Sequence, residues 1–344
     1  HDVIKGNVDF PENDQDIVII KADGLPTYHF AHAVDDHLMR TTHVIRGDEW
    51  LSSVPLHLQL FHELGFKAPK YAHISPIMKN DDGNKRKLSK RKDPEAAISY
   101  YKEEGIPVEA VKQYLLNIAN SSFENWRRAN PDKSIDEFDF QLNKMSVSGA
   151  LFDMVKLLDV EKTVISKMTA EEVYENALNW AKEYDNELYE MLQDKEYSLK
   201  IFRIERGNKK PRKDISKWSD VKDSIIYMYD NKFLNSDISY DYAKISDKEE
   251  INKLLKSYIE EYFDISDDKD TWFNKIKDLA EKNGYAREVK EFKANPEKYP
   301  GHVGDVSTVI RVALTGRQNT PDMYEIMEVL GKDSVINRLN KAIK

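Results

Sequence analysis

The feature that most constrains the fold is a change of pattern near Pro94. Before it, short apolar runs alternate with segments whose apolar residues recur at helical spacing, whereas after it only helical spacing persists. Alternating strands and helices predict an α/β unit with a parallel sheet, and the remainder predicts an all-α part. Because a single core rarely grows beyond about 250 residues, the 344 residues predict two to three domains.

The α/β part contains several candidate elements. The apolar run Ile17–Ile20 predicts a buried strand, and Val44–Ile45 predicts a second one. Helical spacing predicts a helix that starts at Thr27 and another over residues 49–64. An extended stretch, His73–Met78, leads from these elements into a basic loop.

The sequence of the all-α part contains clear signals for loops and for helix ends. Helical spacing begins at Val108, and residues 130–133, 206–211 and 295–301 read as boundary loops. The final helices include one that Thr320-Pro321-Asp322 opens and Gly331 ends. The sequence Gly-His-Val-Gly-Asp at 301–305 reads as a turn.

Residues 84–92, Asn-Lys-Arg-Lys-Leu-Ser-Lys-Arg-Lys, form a basic run with six cations. A Gly83 turn before it and Asp93-Pro94 after it predict a flexible loop between ordered elements. A bare Lys/Arg run is usually a solvated loop or a localisation cluster. Leu88 and Ser89 at its centre favour a phosphate clamp, in which Leu88 is an apolar anchor and Ser89 a hydrogen-bond donor.

The composition limits the classes of partner. With 61 acidic and 52 basic residues, any contact with nucleic acid must come from local basic surfaces. No apolar stretch approaches the roughly 18 residues of a membrane span, and the first residues are no signal peptide, so we expect a cytoplasmic protein that binds no membrane. The chain has no cysteine and no paired histidine spacing, so we expect neither zinc nor another structural metal.

Several motifs in order resemble one family. The segment Lys-Leu-Ser-Lys-Arg at 87–91 resembles the KMSKS signature of class I aminoacyl-tRNA synthetases. Asp-Gly-Leu-Pro-Thr-Tyr-His-Phe-Ala at 23–31, Val-Asp-Asp-His at 34–37 and Thr-His-Val-Ile-Arg-Gly-Asp-Glu-Trp at 42–50 resemble the glutamyl-tRNA synthetase family. The stretch from 309 to 331 resembles the anticodon-binding region of the bacterial enzymes of that family.

The resemblance implies an architecture and an activity. It implies the C-terminal part of a Rossmann-like catalytic domain over 1–105, a helical stem-contact region over 106–160 and an all-helical anticodon-binding region over 161–344, with a division near 235–300 left open. It implies a monomeric ligase that activates L-glutamate with ATP and Mg²⁺ and transfers it to tRNA(Glu). Because the matching residues start well inside the catalytic domain, we expect the His-Ile-Gly-His signature to lie upstream and this chain alone to be inactive.

Arg46 and Tyr28 are the candidates for glutamate binding. Arg46 stands after a predicted strand and before a helix, where open α/β sheets place their ligands, and its fork can hold a carboxylate. From position alone, a surface pair with Asp48 or Glu49 is an equal alternative. Tyr28 would by itself be read as a half-buried packing residue. The resemblance assigns both side chains to the substrate amino acid.

Lys90 and Lys87 are the candidate catalytic residues. A lysine that meets the triphosphate only when a loop closes stabilises charge preferentially in the transition state, and we assign this role to Lys90 with help from Lys87. The resemblance places Leu88, Glu49 and Trp50, together with Lys90, around ATP.

Other candidates carry weaker expectations. Asp35 and Asp36 point about 100° apart on a helix, so we expect structural roles for them, and we assign His32 no catalytic role. The resemblance makes Arg311 and Arg317 candidates for tRNA binding. The six cations within residues 203–213 read as a solvated loop by default.

Two alternatives remain open from the sequence. A glutaminyl enzyme shares the catalytic motifs, but its anticodon part is built of β-barrels, which the strand-poor second half opposes. The chain can also be a tRNA-binding module without catalysis. The sequence does not separate charging of tRNA(Glu) alone from relaxed charging.

Overall fold

The computed structural model describes residues 1–14 and 16–343, and the chain forms two compact units. The first unit comprises His1–Lys102 and Val108–Val160, and the second comprises Glu103–Pro107 and Glu161–Lys344. All strands of the described residues precede Leu88, and helices dominate the rest. The predicted class, an α/β part followed by an all-α part, is confirmed.

The strands are β1 (His43–Gly47), β2 (Lys70–Ile74), β3 (Met78–Asp81) and β4 (Asn84–Lys87). β1 and β2 pair in parallel, with Ile45 opposite Ala72, as the alternation of strands and helices predicted. β3 and β4 form an antiparallel hairpin. Asp82 and Gly83 between them both have positive φ, the geometry of the Asp-Gly turn that matches strand twist. This turn makes the first half of the basic run a strand, where we predicted a flexible loop.

The helices that start in the first unit are α1 (Tyr28–Leu38), α2 (Val54–Glu63), α3 (Ile98–Glu104), α4 (Val108–Ala119), α5 (Phe123–Ala129) and α6 (Met154–Lys167). A 3-10 turn over Asp48–Ser53 joins β1 to α2. α1 packs against α2, and the buried side chains Ala33 and Phe61 lie on these two helices. The helices predicted from Thr27, over 49–64 and from Val108 are confirmed.

The strand predicted at Ile17–Ile20 is wrong. The pairing of these residues is local: Ile20 forms a bridge with Pro26, and the amide and hydroxyl of Thr27 donate to carbonyls of Val18 and Ile19. Val18 is 65% exposed. An apolar run forms a buried strand only where a neighbouring strand pairs with it, and none of the described residues does so here.

The helices that follow are α7 (Ala170–Tyr184), α8 (Asn186–Met191), α9 (Lys195–Arg203), α10 (Val221–Ile225), α11 (Asp230–Phe233), α12 (Lys248–Ser257), α13 (Lys269–Lys282), α14 (Val289–Ala294), α15 (Val303–Thr315), α16 (Met323–Leu330) and α17 (Lys332–Ala342). They bury two apolar clusters. One draws on residues 165–233 and Ile326, and the other on residues 245–342.

Two helix starts test the sequence interpretation. α16 begins after Asp322, whose carboxylate accepts the Glu325 amide, and ends before Gly331, as predicted. Residues 301–305, which we interpreted as a turn, instead contain the start of α15, which begins at Val303 after the N-cap His302. Asp305 accepts the His302 amide at 2.9 Å and the His302 ring accepts the Gly304 amide at 3.0 Å, which forms a capping box. No helix within the described part of the chain is long and apolar enough to cross a membrane.

Candidate active site

Arg46 lies near the C-terminal end of β1, beside β2. Its guanidinium donates from Nε to His73 Nε2 at 3.0 Å, from one terminal nitrogen to His57 Nδ1 at 3.2 Å, and from the other to the Trp50 carbonyl at 3.2 Å. None of these partners is a carboxylate, and among the described residues no ion pair involves Arg46. The alternative of a surface pair with Asp48 or Glu49 is therefore wrong. Asp48 instead pairs with Lys5.

Aromatic rings surround this guanidinium. Its central carbon lies 4.9 Å from the ring centroid of Tyr71 and 5.9 Å from that of Trp50. Tyr28, at the first position of α1, places its ring 4.6 Å from that of Trp50 and is 48% exposed. The sequence-predicted pair Tyr28 and Arg46 thus meets around one open aromatic wall. Such rings favour a bound cation such as the arginine and exclude water from one of its faces.

His32 belongs to this wall, although we assigned it no catalytic role. Its Nδ1 lies 2.6 Å from Asp36 Oδ2 and its Nε2 lies 2.8 Å from the Tyr71 hydroxyl. Its ring also stacks on Tyr28 with centroids 5.8 Å apart. Burial lowers the pKa of His32, and Arg46 lowers it further, while Asp36 opposes this change. The expected structural role of Asp36 is thus a contact with His32.

His57 and His73 are the residues of this site that sequence reasoning missed. Both side chains are fully buried. Burial, with His32 and Arg46 adding to it, lowers the pKa of His57 to about 3. His73 Nδ1 lies 2.6 Å from Asp2 Oδ2. Burial raises the pKa of Asp2, but hydrogen bonds from the Lys5 amide, the His73 ring and other amides outweigh it and leave the pKa lowered.

The second half of the basic run is anchored at Asp93, which is 1% exposed. Its carboxylate accepts two hydrogen bonds from Arg86, at 2.7 and 2.8 Å, and one from the Ser89 amide at 2.8 Å. Lys79 Nζ lies 3.1 Å from it and also pairs with Glu95. The Arg86 guanidinium holds the pKa of Asp93 well below its usual range. This anchor replaces the mobile backbone that we expected between Gly83 and Pro94.

The candidate catalytic lysines remain exposed next to this anchor. Lys90 forms no ion pair with any described residue, and its side chain is exposed. Lys87 Nζ lies 3.9 Å from Glu49 Oε1, and both of these side chains are exposed. Leu88 is half-buried, and its amide donates to the Ile77 carbonyl at 2.8 Å. The candidate catalytic residue Lys87 and the candidate ATP residue Glu49 are therefore close together, and Trp50 follows Glu49 directly.

The basic cluster at residues 203–213 differs from the basic run. Arg206 donates to the carbonyls of Ile165, Met168 and Phe202 at 2.8 to 3.1 Å, and burial lowers its pKa to about 10. Arg203 pairs with Glu171. Four further contacts are Arg212 with Asp214 and with two carbonyls, and Lys213 with the Thr163 hydroxyl. Most of this cluster holds the second unit together.

The candidate tRNA residues lie near the C-terminal end of α15 in the second unit, Arg311 within the helix and Arg317 just after it. Arg311, on α15, donates to the Gln318 carbonyl at 3.4 Å, while its buried Nε has no partner among the described residues. Arg317 donates to the Asp223 carbonyl, and its guanidinium lies 5.0 Å from the Tyr227 ring centroid. Both side chains are half-buried. Residues 1–14 and 16–343 contain no group of three or more His, Asp or Glu side chains that could hold a metal ion.

Two family models match the chain. The model described as "tRNA synthetases class I (E and Q), catalytic domain" matches residues 1–167, and the model described as "Anticodon binding domain" matches residues 290–343. The first match contains β1, the basic run and every residue of the wall around Arg46. The second contains Arg311 and Arg317.

Curated relatives match nearly the whole chain. The glutamate–tRNA ligases of Clostridium perfringens (strain SM101) and Acetivibrio thermocellus are 54% and 50% identical to it over 343 residues. Each alignment covers 99% of this chain and 62% of the relative, so the chain spans less than two thirds of their length.

Solved structures give the same result. The fold is similar to the crystal structure of a glutamate tRNA ligase from Elizabethkingia meningosepticum in complex with its amino acid, with a TM-score of 0.72 at 27% identity. A glutamate–tRNA synthetase from Elizabethkingia anophelis gives a TM-score of 0.71 at 26% identity. Both comparisons cover 99% of this chain and 65% of the other.

Proposed function

We propose, from the premise that this chain belongs to the class I tRNA synthetase family of the glutamate and glutamine enzymes, that it acts in a glutamate–tRNA ligase. The family resemblance read from its motifs is thereby confirmed. The observation that carries the proposal is the environment of Arg46, a guanidinium at the end of a parallel strand whose partners are two imidazoles and a backbone carbonyl, none of them a carboxylate. Such a group retains its full charge for the carboxylate of an amino acid.

Arg46 and Tyr28 bind glutamate in this proposal. The guanidinium offers parallel N–H donors to the side-chain carboxylate, and the phenol of Tyr28 closes the same wall. Glutamine presents an amide NH₂ to these donors, and two donors that face each other gain no hydrogen bond. The site therefore selects glutamate by charge and by donor count.

Lys90 and Lys87 act on ATP, which enters as its Mg²⁺ complex. The α-carboxylate of glutamate attacks the α-phosphorus, the bond to the bridging oxygen breaks, and pyrophosphate leaves with the electron pair. Lys90 stabilises the charge that develops on the leaving phosphates, and Lys87 assists. Leu88, Glu49 and Trp50 contact the nucleotide. A terminal ribose hydroxyl of tRNA(Glu) then attacks the activated carbonyl and releases AMP.

The tRNA extends over the helical part in this proposal. Residues 106–160 contact the acceptor stem, and residues 161–344 bind the anticodon, where Arg311 and Arg317 lie within reach of phosphates or splayed bases. The glutaminyl alternative requires a β-barrel anticodon part. The described residues after Lys87 contain no strand, which favours the glutamate enzyme.

A charging assay tests the proposal. The complete product of the gene that encodes this chain is incubated with ATP, Mg²⁺ and labelled glutamate, with tRNA(Glu) and tRNA(Gln) in parallel reactions. We expect transfer of glutamate to tRNA(Glu). Transfer of glutamine to tRNA(Gln), or no acyl transfer to either tRNA with a folded protein, overturns the proposal.

A matched sample tests the expectation of inactivity. The 344-residue chain alone is assayed at the same concentration, after circular dichroism has shown that it is helical. We expect no charging by this chain. Charging at a rate close to that of the complete product contradicts this expectation.

A further inference from the structure

We propose that His57 and His73 are positioning residues, two neutral imidazoles that fix the Arg46 guanidinium and leave it one free N–H on each terminal nitrogen for a carboxylate. The proposal deepens the function proposed above and rests on it. It identifies which groups fix the arginine, and it explains why those groups are not acids.

Arg46 is the donor in its contacts with His57 and His73. An arginine guanidinium only donates hydrogen bonds. The nitrogens that face it, His57 Nδ1 at 3.2 Å and His73 Nε2 at 3.0 Å, must therefore be unprotonated acceptors. Each ring then carries its proton on the other nitrogen, which fixes both tautomers.

The remaining proton of each imidazole also has a partner. His73 Nδ1 donates to Asp2 Oδ2 at 2.6 Å, and the same carboxylate accepts the amides of His73, Ile4 and Lys5. His57 Nε2 donates to His29 Nδ1 at 2.9 Å. Each imidazole is thus oriented by a hydrogen bond from the ring nitrogen that does not face Arg46. A carboxylate orients a metal-binding or catalytic histidine in the same way.

Arg46 has N–H groups that its partners in the protein do not use. A guanidinium has five N–H groups, and Arg46 uses Nε and one hydrogen on each terminal nitrogen. The described residues leave one hydrogen on each terminal nitrogen without a partner. A carboxylate has two oxygens, each of which can accept a hydrogen bond from one of these donors.

The histidine partners leave the positive charge of Arg46 without a neutralising contact. A carboxylate in the place of either imidazole would orient Arg46 equally well, but it would neutralise the guanidinium and compete with the substrate. An imidazole acceptor orients without neutralising. The negative charge of Asp2 lies one ring away from Arg46, where it fixes His73 and does not contact the guanidinium. The arrangement therefore keeps the subsite cationic and selective for an acidic amino acid.

The test uses acceptor-matched pairs of variants in the complete gene product. His73→Gln and His57→Asn keep an amide oxygen near the position of the accepting nitrogen, and His73→Leu and His57→Leu remove the acceptor at similar volume. We expect each leucine variant to raise KM for glutamate about tenfold, the effect of one lost hydrogen bond to a charged group. KM for ATP and kcat should change less than threefold, and the Gln and Asn variants should stay within about threefold of wild type.

His62→Leu, an exposed position on α2, is the matched control and should change no constant. Thermal unfolding of every variant separates loss of packing from loss of orientation. A purely structural role predicts that KM follows the melting temperature and that Gln and Leu behave alike, which overturns the proposal. If the wild type does not charge tRNA with glutamate, the proposed function is wrong, and the histidine proposal, which rests on it, is wrong too. If the wild type charges tRNA and only the variants behave differently from expectation, the histidine proposal alone is wrong.

A measurement on the wild type covers the case in which the leucine variants do not fold. The ¹⁵N chemical shifts of the imidazole nitrogens at neutral pH report the tautomers directly. We expect a neutral His73 protonated on Nδ1 and a neutral His57 protonated on Nε2. An imidazolium, or the opposite tautomer at either position, overturns the proposal.

Discussion

The two basic segments of the chain, residues 84–92 and residues 203–213, each contain six cations, but these cations have different partners. In residues 84–92, Arg86 is the cation that binds a buried carboxylate, and Lys90 extends into solvent without an ion pair to any described residue. In residues 203–213, arginines bind carbonyls and carboxylates of the second unit, and Arg206 donates to three carbonyls. Residues 84–92 thus keep exposed positive charge, whereas most of the charge in residues 203–213 makes contacts that stabilise the fold.

The difference shows that the partners of a cation determine whether it stabilises the fold or is available to a ligand. A guanidinium that satisfies several carbonyls stabilises the fold, because those oxygens would otherwise be buried without a donor. An exposed ammonium contributes little to stability, so its position is available to a ligand. The following predictions test this contrast from the largest effect to the smallest.

Lys90→Ala in the complete gene product should reduce the rate of pyrophosphate exchange about 100-fold, the scale for loss of one charge-stabilising group in a transition state. The melting temperature and glutamate binding should not change, because Lys90 makes no ion pair with the described residues. Exchange kinetics and calorimetry measure the two effects. Lys210→Ala in the other basic segment is the control, and equal losses of exchange and of glutamate binding would contradict the assigned role.

Arg206→Met should lower the free energy of unfolding by about 3 kcal/mol, since three carbonyls lose a donor in a partly buried site. Urea unfolding monitored by circular dichroism measures this change. Lys209→Ala, exposed three residues further on, should change the free energy by less than about 0.5 kcal/mol. A small effect at Arg206 would mean that water replaces its hydrogen bonds, and the contrast between the two segments would weaken.

Glu161 extends the contrast to buried carboxylates. Both of its oxygens lack a hydrogen-bond partner in the described structure, and burial raises its pKa to about 7. The folded state then holds the proton more tightly than the unfolded state, so this side chain reduces stability as pH rises from about 4.5 to 7. Glu161→Gln should stabilise the protein by about 2 kcal/mol at pH 8 and hardly at pH 4.5. Urea unfolding at both pH values measures this, and parallel curves for mutant and wild type would contradict it.

Asp93→Asn should reduce pyrophosphate exchange about tenfold, because one weaker acceptor must replace a carboxylate that holds Arg86, Ser89 and Lys79. KM for glutamate should not change, since Arg46 has separate partners. Asp81→Asn is the matched control, because Asp81 binds Arg86 from an exposed position. If both variants behave alike, Asp93 does not position the lysines.

Local patterns predicted much of the fold. The helices from Thr27 and Val108 and the pairing of β1 with β2 follow from apolar spacing and from the alternation of elements. β4 was missed although its signal, Asp82-Gly83, was present, because the charge of the run suggested a loop. The strand at Ile17–Ile20 was wrong because burial of an apolar run depends on remote neighbours that its own residues do not specify.

The site was predictable only where a motif names a residue. Tyr28 and Arg46 carry such motifs, and the structure brings them to the same aromatic wall; their roles stay predictions. His73 contacts Arg46 from 27 residues away and Asp2 from 71, so no spacing relates the three. A buried histidine on an apolar strand usually looks like a core residue. Only the fold shows that it accepts from an arginine.

The anchor at Asp93 separates two kinds of electrostatic interaction by their response to ionic strength. Dissolved salt screens exposed charges within about 8 Å at 0.15 M, whereas it screens a buried pair much less. Raising the salt concentration should therefore weaken the attraction between the exposed lysines and a polyphosphate while the Arg86–Asp93 contact holds the base of the loop. High salt can therefore weaken the binding of an anionic ligand to the loop without changing the conformation of the loop.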